Sequence, residues 1–271
     1  MSVKLSKIIE TIEVLAPAHF AEDGDNIGLL VGRRDAEVSK VLIALDLLDS
    51  VIDEAVAHNA QAIITHHPPI FRPISRISDE SPLGRRLLRL IENKICLYCA
   101  HTNLDFTDGG INDMLFDILG LQNKEYICES RPGVFRGRAG ILPAPITLSD
   151  FAQSIKNALG LDVAAFCGDG SAKVHKIGII GGSSADADFF ARVLAAGCDT
   201  FVTADIKLHA AQAALDMGLN LVDATHYGGE VIFAGRLAKY LQERVAGVEF
   251  IISKINGQPF KIVNSEGVSQ C

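Results

Sequence analysis

Three runs of the sequence place histidine in polar company just after an apolar stretch: Ile63-Ile64-Thr65-His66-His67-Pro68-Pro69, Tyr98-Cys99-Ala100-His101-Thr102-Asn103-Leu104-Asp105 and Val222-Asp223-Ala224-Thr225-His226-Tyr227-Gly228-Gly229-Glu230. Imidazole nitrogen and carboxylate oxygen without thiolate suit borderline divalent ions such as zinc, iron, manganese, cobalt or nickel, and a carboxylate can bridge two of them. Asp105 and Glu230 offer charge to offset such cations. His226 and Glu230 are four residues apart and share a face if a helix starts within that turn. Taken singly, each strand-end histidine reads more readily as a hydrogen-bonded turn residue. Taken together, the three runs point to a divalent-metal site.

Two weaker runs also follow apolar stretches. Ile179-Ile180-Gly181-Gly182-Ser183-Ser184-Ala185-Asp186 offers backbone donors at a helix start that could hold a phosphate. It matches neither the Walker nor the dinucleotide fingerprint, and a plain tight turn accounts for it as well. In Thr203-Ala204-Asp205-Ile206-Lys207-Leu208-His209, Asp205 reads either as the cap of the following helix or as a substrate contact, and His209 could reach the same cleft.

The elements that must position these residues repeat one unit: a β-branched apolar run, a polar or glycine-rich turn, then a helical periodicity. Strands are expected at residues 40–46, 62–65, 95–100, 174–180, 200–203, 219–224 and 249–253. Helices are expected at 7–15, 50–58, 83–93, 108–119, 149–159, 186–196, 206–217 and 230–244. This alternation implies the α/β class, with a mostly parallel sheet and helices on its faces. In such sheets ligands collect beyond the carboxyl ends of the strands, which is where the histidines lie. The Gly- and Pro-containing segment at 125–145 breaks the rhythm and suggests antiparallel edge strands, which the segment 248–253 could extend. A boundary there gives one domain of residues 1–125 plus 248–271 and a second of 126–247.

A formal net charge of −8 over 271 residues argues against a nonspecific nucleic-acid binder, which needs clustered basic side chains. The densest basic run, Gly84-Arg85-Arg86-Leu87-Leu88-Arg89, reads as the solvated face of one helix. The amphipathic, charge-interrupted start of the chain is neither a signal peptide nor a membrane span, so a cytoplasmic location and no membrane partner are expected. Six scattered cysteines form no secreted disulfide framework, and Cys96 and Cys99 sit inside a buried-strand pattern.

Several motifs in order resemble those of the GTP cyclohydrolase I type 2 family, also called the Nif-three-like family. They are Asp25-Asn26-Ile27-Gly28-Leu29, His66-His67-Pro68 with Phe71, His101-Thr102-Asn103-Leu104-Asp105, the Thr203 to His209 run, and His226-Tyr227 with Glu230. The resemblance implies two intertwined three-layer α/β/α domains with a metal cleft between them, two divalent ions per chain, and a homohexameric ring. It implies His66, His67, Asp105, His226 and Glu230 as ligands, Glu230 bridging, with His101 as a catalytic proton donor beside the metals. Thr225 and Ala204 stand where the family commonly has glycine, and the tryptophan often found before Asp25 is missing. The long insertion of larger members is also missing.

The expected function is metal-dependent hydrolysis of GTP or another nucleotide-like or phosphorylated small molecule. Two ions would bring the pKa of a bridging water toward neutrality and polarise the bond under attack. A non-catalytic metal-binding scaffold or regulatory ring is the alternative.

Overall fold

The computed structural model describes residues 2–264 and 267–268. The chain divides into two compact units, residues 1–107 with 233–257 and residues 108–232 with 258–271. The divisions expected after residues 125 and 247 therefore move, because two helices belong elsewhere. Helix Ile111–Ile118 packs on strands Val134–Thr147 and Lys173–Ser183, and helix Phe233–Arg244 packs on strands Glu249–Ile252 and Lys40–Ala44.

The first unit is built on a five-stranded sheet in the order Glu249–Ile252, Lys40–Ala44, Ala62–Thr65, Cys96–Cys99, Gly28–Val31. Its first four strands are parallel and the last is antiparallel. The central strands are mostly apolar and buried because both faces are covered. Leu42 and Ala44 join Val51, Ile52, Ala55 and Leu90 in a core on one face. Successive strand side chains alternate in direction, which sends Val41 and Ile43 to the opposite face. Leu5, Ile8, Ile9 and Ile12 form the buried stripe of helix Leu5–Leu15, at helical spacing. That helix packs on Phe233–Arg244, which buries Phe233, Leu237 and Leu241.

Ser81 caps helix Pro82–Glu92 by accepting from the Gly84 amide, with proline at the first position. The arginine run is less solvated than its sequence suggests. Arg86 pairs with Asp49 at 3.1 Å and Arg89 with Asp49 and Asp53, all on the neighbouring helix Asp49–Ala57.

The second unit carries a mixed six-stranded sheet in the order Gln122–Arg131, Val134–Thr147, Lys173–Ser183, Thr200–Ala204, Asn220–Asp223, Ala165–Cys167. Only the three strands from Lys173 to Asp223 run parallel to one another. The segment that breaks the rhythm is a long antiparallel hairpin at the sheet edge. Residues 249–252 do not extend it; they add a parallel strand beside Lys40–Ala44 in the first unit. Phe189, Phe190, Val193, Phe201 and Leu221 centre the core of the second unit. No helix among the described residues is long and apolar enough to cross a membrane.

One charge cluster ties the hairpin to helix Ile111–Ile118. Arg138 is fully buried and donates to Asp113, while its guanidinium lies 4.8 Å from the Tyr126 ring centre. Burial works against ionising Asp113, but hydrogen bonds from the Gly109 amide, Lys124 and Arg138 outweigh it and hold the carboxyl below 3.8. Since the folded value lies below the unfolded one, this stabilisation is complete above the unfolded value and is lost as pH falls through the folded one. Asp113→Asn should lower unfolding free energy by about 3 kcal/mol at neutral pH, because it leaves a buried guanidinium poorly compensated. Urea titrations at pH 7 and pH 3 should show the gap between wild type and variant narrowing in acid.

Candidate metal centre

His66 and His67 leave the carboxyl end of strand Ala62–Thr65, and His101 follows the adjacent parallel strand Cys96–Cys99. Thr65 lies opposite Cys99 in the ladder, so two distant runs end side by side. The His66 ring centre is 5.1 Å from that of His67 and 5.1 Å from that of His101. The three offer ring nitrogens within 4.8 Å of one another. His101 is thus placed as well for coordination as for proton transfer.

Each ring is held from behind. His66 Nδ1 donates to the Ala100 carbonyl at 2.8 Å, and His67 Nδ1 to Asp46 at 2.8 Å. His101 Nδ1 lies 2.9 and 3.0 Å from the two oxygens of Asp25. A carbonyl or carboxylate can only accept, so Nδ1 carries the proton and the neutral ring keeps its Nε2 lone pair for an ion. Asp25 also accepts from the amide and hydroxyl of Thr102. Burial opposes its ionisation, but His101 and Thr102 prevail and lower its pKa. Asn103 fixes the backbone here, accepting from the His101 amide and donating to the Ala16 carbonyl.

Asp105, on the short helix Thr102–Phe106, is buried with its Oδ1 3.6 Å from His66 Nε2. That separation exceeds a hydrogen bond. It is close to the ~3.3 Å expected for two donors at about 2.0–2.1 Å from one tetrahedral ion. Buried imidazole with buried carboxylate, and no thiolate among them, is a donor set that fits a divalent ion. Cys99 does not compete: burial pushes its thiol far above the ordinary range, and it donates to the His66 carbonyl. Cys96 and Cys99 are free core cysteines.

In the second unit His226 and Glu230 lie on one face of the five-residue helix His226–Glu230, with Nε2 3.1 Å from Oε2. Asp205 Oδ2 accepts from His226 Nδ1 at 2.7 Å. The hydrogen bond His226 donates to Glu230 raises the His226 pKa most; burial opposes it, Asp205 adds to it, and the result is about 9. Glu230 is 3% exposed beside the bend at Gly181 and Gly182. Gly182 has a φ of +69°, and a Cβ there would collide with Glu230 Oε1.

The structure gives residues of both weaker sequence runs hydrogen-bonding partners within the fold. The Gly181 amide donates to Asn112 and the Ser184 amide to Thr203, while Asp186 caps the next helix with its own carboxylate. These bonds consume donors that a phosphate would need, and the bend makes room for Glu230 instead. Asp205 does not cap helix Leu208–Asp216, whose cap position is Lys207; it stands behind His226. His209 is exposed, 3.3 Å from Gln212 on its own helix.

Residues 3–259 match the profile of the Duf34/NIF3 (NGG1p interacting factor 3) family. The chain belongs to this family. A protein of Clostridium perfringens named GTP cyclohydrolase 1 type 2 homolog is 38% identical over 267 residues, covering 96% of this chain and 100% of that one. The fold is similar to the crystal structure of a Bacillus cereus protein related to NIF3, with a TM-score of 0.92 and 26% identity over 97% of this chain and 99% of that one. It is also similar to Staphylococcus aureus protein SA1388, with a TM-score of 0.87 and 30% identity over 96% and 99%.

Sequence reading does not assign the aspartates behind the histidine rings: Asp46 reads only as a strand residue and Asp205 as a cap or substrate contact. Asp46 and Asp205 both sit just past a parallel strand, so a search of strand ends for acids as well as histidines finds them. Asp46→Ala should weaken metal binding by about 10–100-fold, as loss of an orienting partner does. Gly182→Ala should lower bound metal by displacing Glu230. Metal per chain after dialysis against graded chelator checks both, and unchanged retention would show that neither residue orients a ligand. Thr225 holds φ +58° and ψ 143°, a region β-branched residues avoid, while its hydroxyl caps Gly228. Thr225→Gly should therefore raise unfolding free energy by about 1 kcal/mol, since glycine relieves strain and costs a cap only tenths.

Proposed function

We propose that this chain is a metal-dependent hydrolase acting on GTP or another nucleotide-like or phosphorylated small molecule. The observation that carries the reading is the convergence of His66, His67 and His101, each with Nδ1 bound to an oxygen and all offering ring nitrogens within 4.8 Å of one another. His66, His67, Asp105, His226 and Glu230 would hold two divalent ions. Such ions supply acidified water and polarisation of the bond under attack.

The chain's own residues do the rest. His101 would hand a proton to the leaving group, and Asp25 steadies the ring by accepting from Nδ1. Buried His66 and Asp105 keep bulk water from the donors, which strengthens every charge interaction there. Asp205 and His209 are the side chains proposed to meet substrate, Asp205 through the edge it leaves exposed beyond His226. The reading includes assembly as a homohexameric ring and residence in the cytoplasm.

Protein purified without chelators or a metal-affinity tag should retain about two divalent ions per chain. Glu230→Ala should lose metal. His101→Ala should keep metal but lose about 10²–10⁴-fold in turnover of GTP or of a phosphoester panel. Metal at that level without turnover on any substrate would support the scaffold alternative instead, and a wild-type chain that never retains metal would sink the reading.

A further inference from the structure

The segment that leaves His67 has no role in the metal centre, yet it is the least conventional surface of the first unit. Residues 68–77 read Pro68-Pro69-Ile70-Phe71-Arg72-Pro73-Ile74-Ser75-Arg76-Ile77. Phe71 is 57% exposed, and Arg72 and Arg76 are exposed and make no ion pair among the described residues. Between His66 and Ser78 there is no acidic residue, in a chain whose net charge is −8.

The segment is also fixed relative to the histidines. Asn26 donates its side-chain amide to the Ile70 carbonyl at 2.5 Å, and the preceding residue, Asp25, holds His101. Adjacent Cα atoms are about 3.8 Å apart, so one dipeptide brackets both the proton-donor candidate and the backbone next to Phe71. Three prolines restrict the segment further, which lowers the ordering cost of binding a ligand.

We propose that this segment is the substrate-recognition element of the site: Phe71 stacks on a planar base while Arg72 and Arg76 take the phosphates of a nucleotide. The proposal rests on the hydrolase reading and names its substrate class. An exposed aromatic ring offers a face to any base, and guanidinium groups bind phosphate through paired donors. Uncommitted positive charge in an acidic protein selects an anion.

The test is calorimetric titration of the metal-loaded full chain with GTP and with inorganic triphosphate, for wild type, Phe71→Ala and Arg72→Gln/Arg76→Gln. Metal per chain is measured in parallel. Phe71→Ala should weaken GTP by about tenfold and leave triphosphate unchanged. The arginine variant should weaken both by tenfold or more. Metal content should stay at the wild-type level in each.

Variants that bind both probes like wild type would overturn the assignment. So would variants that change only the assembly size on gel filtration, since the segment would then be a contact between copies. A wild-type chain that binds neither probe also overturns it, while its metal content reports separately on the hydrolase reading.

Discussion

An imidazole at the end of a strand can swing between rotamers and exchange tautomers, and an ion needs both freedoms removed. Here an oxygen about 2.7–2.9 Å from each Nδ1 removes them for His66, His67, His101 and His226. The four acceptors come from different places: a carbonyl after one strand, two aspartates just past other strands, and one aspartate in the loop before strand Gly28–Val31. Most of what the parallel strands do for function is to bring these acceptors level with the rings. The apolar cores on either face fix the strands, and the strands fix the oxygens.

The backbone gives way where the side chains cannot. Asp205 and Thr225 hold positive φ without being glycine, and each lies just beyond one of two adjacent parallel strands. Gly182 ends the third of that parallel set and leaves its Cβ space to Glu230. Strain concentrated at the mouths of well-packed strands is tolerated because the cores behind them over-determine the chain path. In the first unit the equivalent role falls to hydrogen bonds, with Asn103 and Asp25 holding the His101 turn from two sides.

The local signals were strong where one element decides the outcome. Strand Ala62–Thr65 was legible to the residue, and most other strands and helices within two or three, because a buried parallel strand and an amphipathic helix have distinct periods. Glycine and partner geometry hid the rest. Gly109, at φ +76°, delays the helix expected from residue 108 until Ile111, and the helix expected from residue 230 is two helices meeting near Val231. Strand Gly28–Val31 was hidden because its partly exposed edge position demands little of its sequence. For the candidate site, the histidines and Glu230 stood out by type and context. Asp25 was visible only inside a family motif, Asp46 only as the end of an expected strand, and Asp205 was assigned to capping or substrate. Which acid stands behind which ring is a tertiary fact, set by strand order.

The order in which the chain is made adds a constraint of its own. The His66 ring packs 5.5 Å from Phe233, and the strand beside Lys40–Ala44 is supplied by Glu249–Ile252. A nascent chain that has just released residue 107 from the ribosome therefore has the histidines and Asp105 of the first unit but lacks one wall around His66 and one edge of the sheet. Residues 108–232 of the second unit must be synthesised before those pieces arrive. Contacts of such long sequence separation form slowly and late. Until then the histidines and acids of the first unit stand on an incomplete sheet. The first unit's sheet and the wall beside His66 are thus completed only from residues made after residue 232.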